Sequence, residues 1–287
     1  MIIDAHTHIY PDAIAAAVVR KLSGSTGLCP PTDGTADGLR DQMHRTGVDR
    51  SIVLPVATNP VKVGHLNDFA IRLNGSDGLY SFGAVHPDCP DWKPELRRVK
   101  QAGLRGIKVH PIYQGVDFDD IRFLRIFAEA ASLGLIVVTH AGYDIGFPGA
   151  DRSAPRRIRS ALRQVGAFPL ILAHMGGWMD WEDAAALADT GVLLDTAFSL
   201  GDYPYRPDGR DPAIAAAFGD VGHLLDAQQA LRLIRLFGAE RILFGSDSPW
   251  QSPADGIAFL RALPLSDAER DAILGQNAAR ILFGAAE

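Results

Sequence analysis

Short apolar runs rich in Val, Ile and Leu alternate along this chain with longer stretches in which alanine and leucine recur at helical spacing. The runs are MIIDAHTH (1–8), SIVLPV (51–56), LYSFGAV (79–85), LRGIKVH (104–110), LIVVTH (135–140), PLILAH (169–174), GVLLDTA (191–197) and RILFGS (241–246). Runs of this length suit strands buried on both faces, as in a parallel sheet. The stretches between them predict helices over 36–46, 64–74, 92–102, 119–132, 153–164, 180–188 and 225–237, with a last pair near 253–263 and 266–283. Eight strand–helix units close a barrel, so the expected fold is α/β: a (β/α)8 TIM barrel, one domain over 1–287 with extra C-terminal helices. An open doubly wound sheet shares the alternation, but its GxGxxG turn is missing, because the first strand runs into histidines.

Two Gly-, Pro- and Asp-rich segments, 23–35 and 199–212, interrupt the spacing after the first and seventh runs. Both are expected at the functional rim. Tyr203 and Tyr205 in the second, with Trp178, Trp181 and Trp250, either line a pocket or pack at loop–helix junctions. Composition narrows the function. With 34 acidic against 28 basic residues the net charge is −6, which offers nothing to a nucleic acid. The two cysteines, Cys29 and Cys89, form no metal or redox spacing, which fits a reducing compartment. No charged-then-apolar leader opens the sequence and no apolar run reaches membrane-spanning length, so the expectation is a cytoplasmic protein with no membrane partner.

The chemistry sits at the ends of the runs. His6 and His8 share a strand face, roughly 7 Å apart along the backbone, where two neutral imidazoles can converge on one metal ion or simply end a strand. His110, His140 and His174 end the fourth, fifth and sixth runs, and Asp247 follows the eighth in LFGSDSPW. In a barrel all these ends surround one mouth. His86, after the third run in AVHPD, is similarly placed but is not taken as a ligand.

The strings DAHTH, GIKVHP, VVTHAG, ILAHMGG, ILFGSDSPW and GQNAARILFG, in this order from residue 4 to about residue 284, together resemble the amidohydrolase superfamily. More narrowly they are similar to the branch that includes aminocarboxymuconate-semialdehyde decarboxylase. The resemblance implies one divalent metal, usually zinc with manganese the alternative, held by His6, His8, His140 and Asp247. It also implies that His174 activates or positions a water, or polarises the substrate. A bound zinc lowers the pKa of its water to about 7 and polarises a carbonyl. Asp247 is then the acceptor for the released proton, with His174 able to share that work.

Lys108, two residues before His110 and on the same face, has three readings. It pairs with a core acid, holds a substrate carboxylate, or is carbamylated to bridge a second metal; one metal is the main expectation. His110 is a substrate contact or a rim histidine. The leading function is hydrolysis of a C–N or C–O bond (amide, lactone or ester) in a small organic substrate. Non-oxidative decarboxylation of a small aromatic or muconate-like carboxylate is the alternative, and a non-catalytic binding barrel ranks last. A serine hydrolase fits poorly for lack of a GxSxG elbow. The expected partners are a small-molecule substrate and, from the resembling branch, a second copy of the chain in a homodimer.

Overall fold

The computed structural model describes residues 1–201 and 224–284. Most of the 199–212 interruption, with Tyr203 and Tyr205, lies outside the described residues. In chain order the strands are β1 (Ile3–Thr7), β2 (Arg50–Val53), β3 (Leu79–Ser81), β4 (Gly83–Ala84), β5 (Gly106–Val109), β6 (Ile136–Thr139), β7 (Leu170–Leu172), β8 (Leu193–Asp195) and β9 (Ile242–Leu243). The helices through the middle of the chain are α1 (Asp12–Thr26), α2 (Ala36–Thr46), α3 (Val63–Leu73), α4 (Trp92–Gln101), α5 (Pro111–Gln114), α6 (Ile121–Ser132), α7 (Pro155–Val165) and α8 (Trp181–Ala184). Longer helices follow at Ala227–Phe237 and Pro253–Ala262. No helix among the described residues is long and apolar enough to cross a membrane.

Two compact units divide the chain: Met1–Ile52 with Asp144–Gly149 and Asp195–Glu287, and Val53–Tyr143 with Ala150–Leu194. In the first unit β1 is buried along its whole length. It is stitched to the segment leaving β9 by Ala5 N–H to Phe244 O (2.8 Å), Asp247 N–H to His6 O (2.8 Å) and His8 N–H to Ser248 O (2.5 Å). That ladder carries Asp247 to the level of the two histidines. Helix α2 falls on its predicted residues because its ends are encoded locally. The Thr35 hydroxyl accepts from Gly38 N–H at 3.0 Å, and Gly47 closes the helix at φ 73°. Helix α1 was not predicted: it buries only Ala15, Ser23 and Thr26, so no apolar stripe announces it. The expected helix 266–283 is a short α-helix, Asp267–Asp271, followed by two wide π-type turns, Ala272–Gln276 and Ala279–Phe283. Asn277 holds this region by donating to Ala239 O and Ile242 O at 2.7 and 2.8 Å.

In the second unit β4 to β8 run parallel, each hydrogen-bonded to the next. The registers Ala84↔Lys108, Lys108↔Val138 and Val138↔Ile171 align one row of residues across four strands. The third predicted run is broken in two at Phe82, whose N–H turns aside to Val53 O at 3.0 Å. Outside the strands, Phe118, Phe123, Phe127 and Phe168 pack ring against ring, with centroids 4.6 to 6.3 Å apart. The arginine-rich helix α7 is a surface element: Arg157 pairs with Asp117, Asp119 and Asp151, and Arg159 with Asp189.

Candidate metal centre and histidine row

The first unit assembles its group on β1 and the turn after β9. His6 Nε2 lies 3.2 Å from His8 Nε2 and 3.3 Å from Asp247 Oδ1, which is itself 3.1 Å from His8 Nε2. His6 and Asp247 are buried and His8 half-buried. The other side of His6 is fixed: Nδ1 sits 2.8 Å from Asp195 Oδ2 at the end of β8, and Asp195 Oδ1 accepts Ala197 N–H at 3.0 Å. A carboxylate can only accept, so this bond puts the His6 proton on Nδ1 and aims the Nε2 lone pair at His8 and Asp247.

These three donors fit a metal ion. With the His6 proton on Nδ1, atoms at 3.1 to 3.3 Å are held together by a proton on His8 Nε2 or, when that nitrogen is deprotonated, by a cation among them. Two nitrogens and an oxygen each about 2.0–2.1 Å from a tetrahedral zinc stand about 3.3 Å apart. His6, His8 and Asp247 therefore form a group that could hold a metal ion.

Asp4 braces the same turn. Its Oδ1 accepts Ser246 N–H (2.9 Å) and His6 N–H (3.2 Å), while its Oδ2 accepts the Ser246 hydroxyl at 2.5 Å. Full burial raises its pKa to about 7, against the lowering pull of the Ser246 bonds. Gly245 is required beside it, since a Cβ there would stand 2.9 Å from His6 Cβ. Asp247 itself adopts a left-handed φ of 66°, strain spent on aiming its carboxylate. Asp144, also in this unit, is buried and its pKa is pushed up to about 7, first by burial and then by the charge of Asp247, despite a bond from Gly146 N–H.

The second unit places its histidines at the ends of β5 to β7. His110 stacks on His140 with ring centroids 4.2 Å apart, and His140 meets His174 edge-on at 4.6 Å. His140 Nε2 lies 2.8 Å from Tyr143 O, so that nitrogen carries the proton and Nδ1 the lone pair. His110 Nδ1 accepts Tyr113 N–H at 3.5 Å, which opens α5. His174 and Met175 have φ of 60° and 53°, and Trp181 Nε1 donates to His174 O at 2.9 Å. The turns after β6 and β7 are sewn together by Trp178 N–H to Ala141 O (2.8 Å) and Tyr143 N–H to Trp178 O (3.0 Å). Gly142 makes this possible, because a Cβ there would stand 2.2 Å from Trp178 N. Lys108 is fully buried on β5, one residue pair below this row.

Of the sequence candidates, His6, His8 and Asp247 are brought together in one unit, and His110, His140 and His174 in the other. Asp4 was visible on the strand face of His6 and His8 but was given no role, and the carboxylates Asp195 and Asp144 were missed. Asp4 and Asp195 lie in predicted strands, and Asp144 follows His140 by four residues; a buried strand acid was the available signal.

The family model described as amidohydrolase matches residues 3–284. The chain belongs to the amidohydrolase family. Its fold is that of solved (β/α)8 barrels: an uncharacterised TIM-barrel protein from Bordetella bronchiseptica matches with TM-score 0.72 at 15% identity, over 99% of each chain. A putative 2-pyrone-4,6-dicarboxylic acid hydrolase from Pseudomonas putida matches with TM-score 0.65 at 18% identity, over 100% of this chain and 98% of that one. A dihydroxybenzoic acid decarboxylase from Polaromonas, solved with manganese and the inhibitor 2-nitroresorcinol, matches with TM-score 0.68 at 15% identity, over 100% and 98%. No curated protein sequence matches the chain.

Proposed function

We propose that this amidohydrolase-family protein is a metal-dependent hydrolase that cleaves a C–N or C–O bond of a small organic substrate. The observation that carries its metal dependence is the convergence of His6, His8 and Asp247 within 3.3 Å of one another. A divalent cation held there, zinc or manganese, would supply Lewis acidity to polarise a carbonyl, and zinc would lower the pKa of water to about 7.

The chain's own residues do the rest. Asp195 holds His6 in the tautomer that presents Nε2. Asp4 and Ser246 hold the turn that orients Asp247. Asp247 receives a proton and returns it to the leaving group, and His174 shares that transfer. Lys108 and His110 are assigned to the substrate side. Several decarboxylases among the similar folds favour a second reading, loss of carbon dioxide from an aromatic carboxylate at the same group.

Manganese- and zinc-loaded protein should be incubated in 18O-labelled water with lactones including 2-pyrone-4,6-dicarboxylate, with aryl esters and amides, and with dihydroxybenzoate. Hydrolysis places one labelled oxygen in the product. Carbon dioxide release from dihydroxybenzoate, with every ester, lactone and amide untouched, replaces the first reading by the second.

A further inference from the structure

Beyond the metal group, the second unit holds a buried imidazole that the proposed mechanism does not use. His86 follows β4 and is 4% exposed. Asp88 N–H donates to its Nδ1 at 3.1 Å. That nitrogen must therefore keep its lone pair, and the ring, neutral by burial, carries its proton on Nε2. No described residue accepts that N–H. A ligand with an acceptor oxygen could take that N–H.

The sheet register shows where His86 stands. Ala84 pairs with Lys108 and Lys108 with Val138. Two residues further along the sequence, just past the strand ends, come His86, His110 and His140. His110 and His140 are already stacked in that row. One side chain ties the row together. Gln114 is buried; its amide donates to Val85 O (2.6 Å) and Ala57 O (3.0 Å), and its carbonyl accepts His110 N–H at 2.8 Å. Both N–H groups and the oxygen are engaged, so the residue before His86 and the backbone of His110 are held by one rigid amide.

We propose that His86 is a substrate-binding residue whose Nε2–H donates to a carboxylate or carbonyl oxygen of the substrate, with Gln114 as the residue that positions it. This rests on the functional reading above, in the assumption that the substrate enters beside the histidine row.

The test is isothermal titration of the manganese-loaded full chain with benzoate, on wild type, His86→Leu and His86→Gln, with metal content and thermal midpoint measured on each. Glutamine keeps an acceptor for Asp88 N–H and a donor near the Nε2 position. Wild type should bind benzoate saturably, His86→Leu should raise the Kd about tenfold or more, and His86→Gln should stay within about threefold of wild type. Long-range 1H–15N NMR of histidine-labelled protein should show His86 protonated at Nε2 alone, and that signal should move on benzoate addition.

Equal binding by the leucine variant, a loss that glutamine does not restore, a proton on Nδ1, or no saturable binding to wild type each overturns the proposal. Metal content separates the two claims. A metal-loaded wild type whose benzoate affinity ignores His86 sinks this assignment alone, whereas a wild type that takes up no metal sinks the functional reading.

Discussion

The metal group of the first unit and the histidine row of the second support the same side chain in different ways. Around His6 the supports are carboxylates: Asp195 on its Nδ1, Asp247 beside its Nε2, and Asp4 under the turn that carries Asp247. Around His86, His110 and His140 hydrogen bonds run to backbone and amide groups: Asp88 N–H, Tyr113 N–H, Tyr143 O and the side chain of Gln114. Acceptors that gather around imidazoles raise their basicity and make a cation site. Neutral partners fix tautomers, putting the proton of His86 and His110 on Nε2 and leaving His140 a lone pair on Nδ1. Identical residue types at strand ends are therefore divided by what stands behind them.

Changes to one region should leave the other intact. The largest effect is expected for Gly142→Ala, where φ is 87° and the new Cβ would meet Trp178 N at 2.2 Å. Denaturant unfolding should show a loss of at least about 3 kcal/mol, from backbone strain and the broken stitch between the turns. Gln114→Leu comes next, at about 2–3 kcal/mol, since it strands two buried carbonyls and one N–H. Its metal affinity should equal that of wild type; a parallel loss of metal would erase the distinction between the regions.

Asp195→Asn reverses the pattern. Metal affinity measured against a competing chelator should fall about 10–100-fold with the thermal midpoint of the apo protein little changed, because the lost group tunes a ligand. The smallest effect is expected at a surface ion pair. Asp120 bonds Arg122, which holds its pKa at about 2 against an ordinary 3.8. A depressed carboxylate contributes stability above its unfolded pKa and loses it as the pH falls toward about 2. Wild type and Asp120→Asn should therefore differ by under about 1 kcal/mol at pH 7 and converge in acid, as pH-dependent urea melts would show.

The sequence made much of this visible, and unevenly. The period of two in His6 and His8, and the strand-end positions of His110, His140 and His174, follow from backbone geometry alone, so the pattern of apolar runs was enough to find them. Asp195 was hidden, and Asp4 was seen on the face of His6 and His8 without its role, because a lone acid inside an apolar run looks the same whether it braces a histidine or caps a strand. Gln114 was hidden for a different reason: its partners Ala57, Val85 and His110 come from three separate turns, and only the fold brings those carbonyls and that N–H to one amide. Helix α1 escaped because it buries too little to leave a stripe, and the break at Phe82 because the residues on either side are equally apolar.

The central claim is that His6, His8 and Asp247 hold a metal ion. The most direct test is elemental analysis by plasma mass spectrometry of protein purified without added metal, then after exposure to zinc or manganese, for wild type and His6→Ala. The account predicts about one equivalent of metal in wild type and less than about a tenth of that in His6→Ala. Equal metal in both proteins, or none in wild type after exposure, would contradict it.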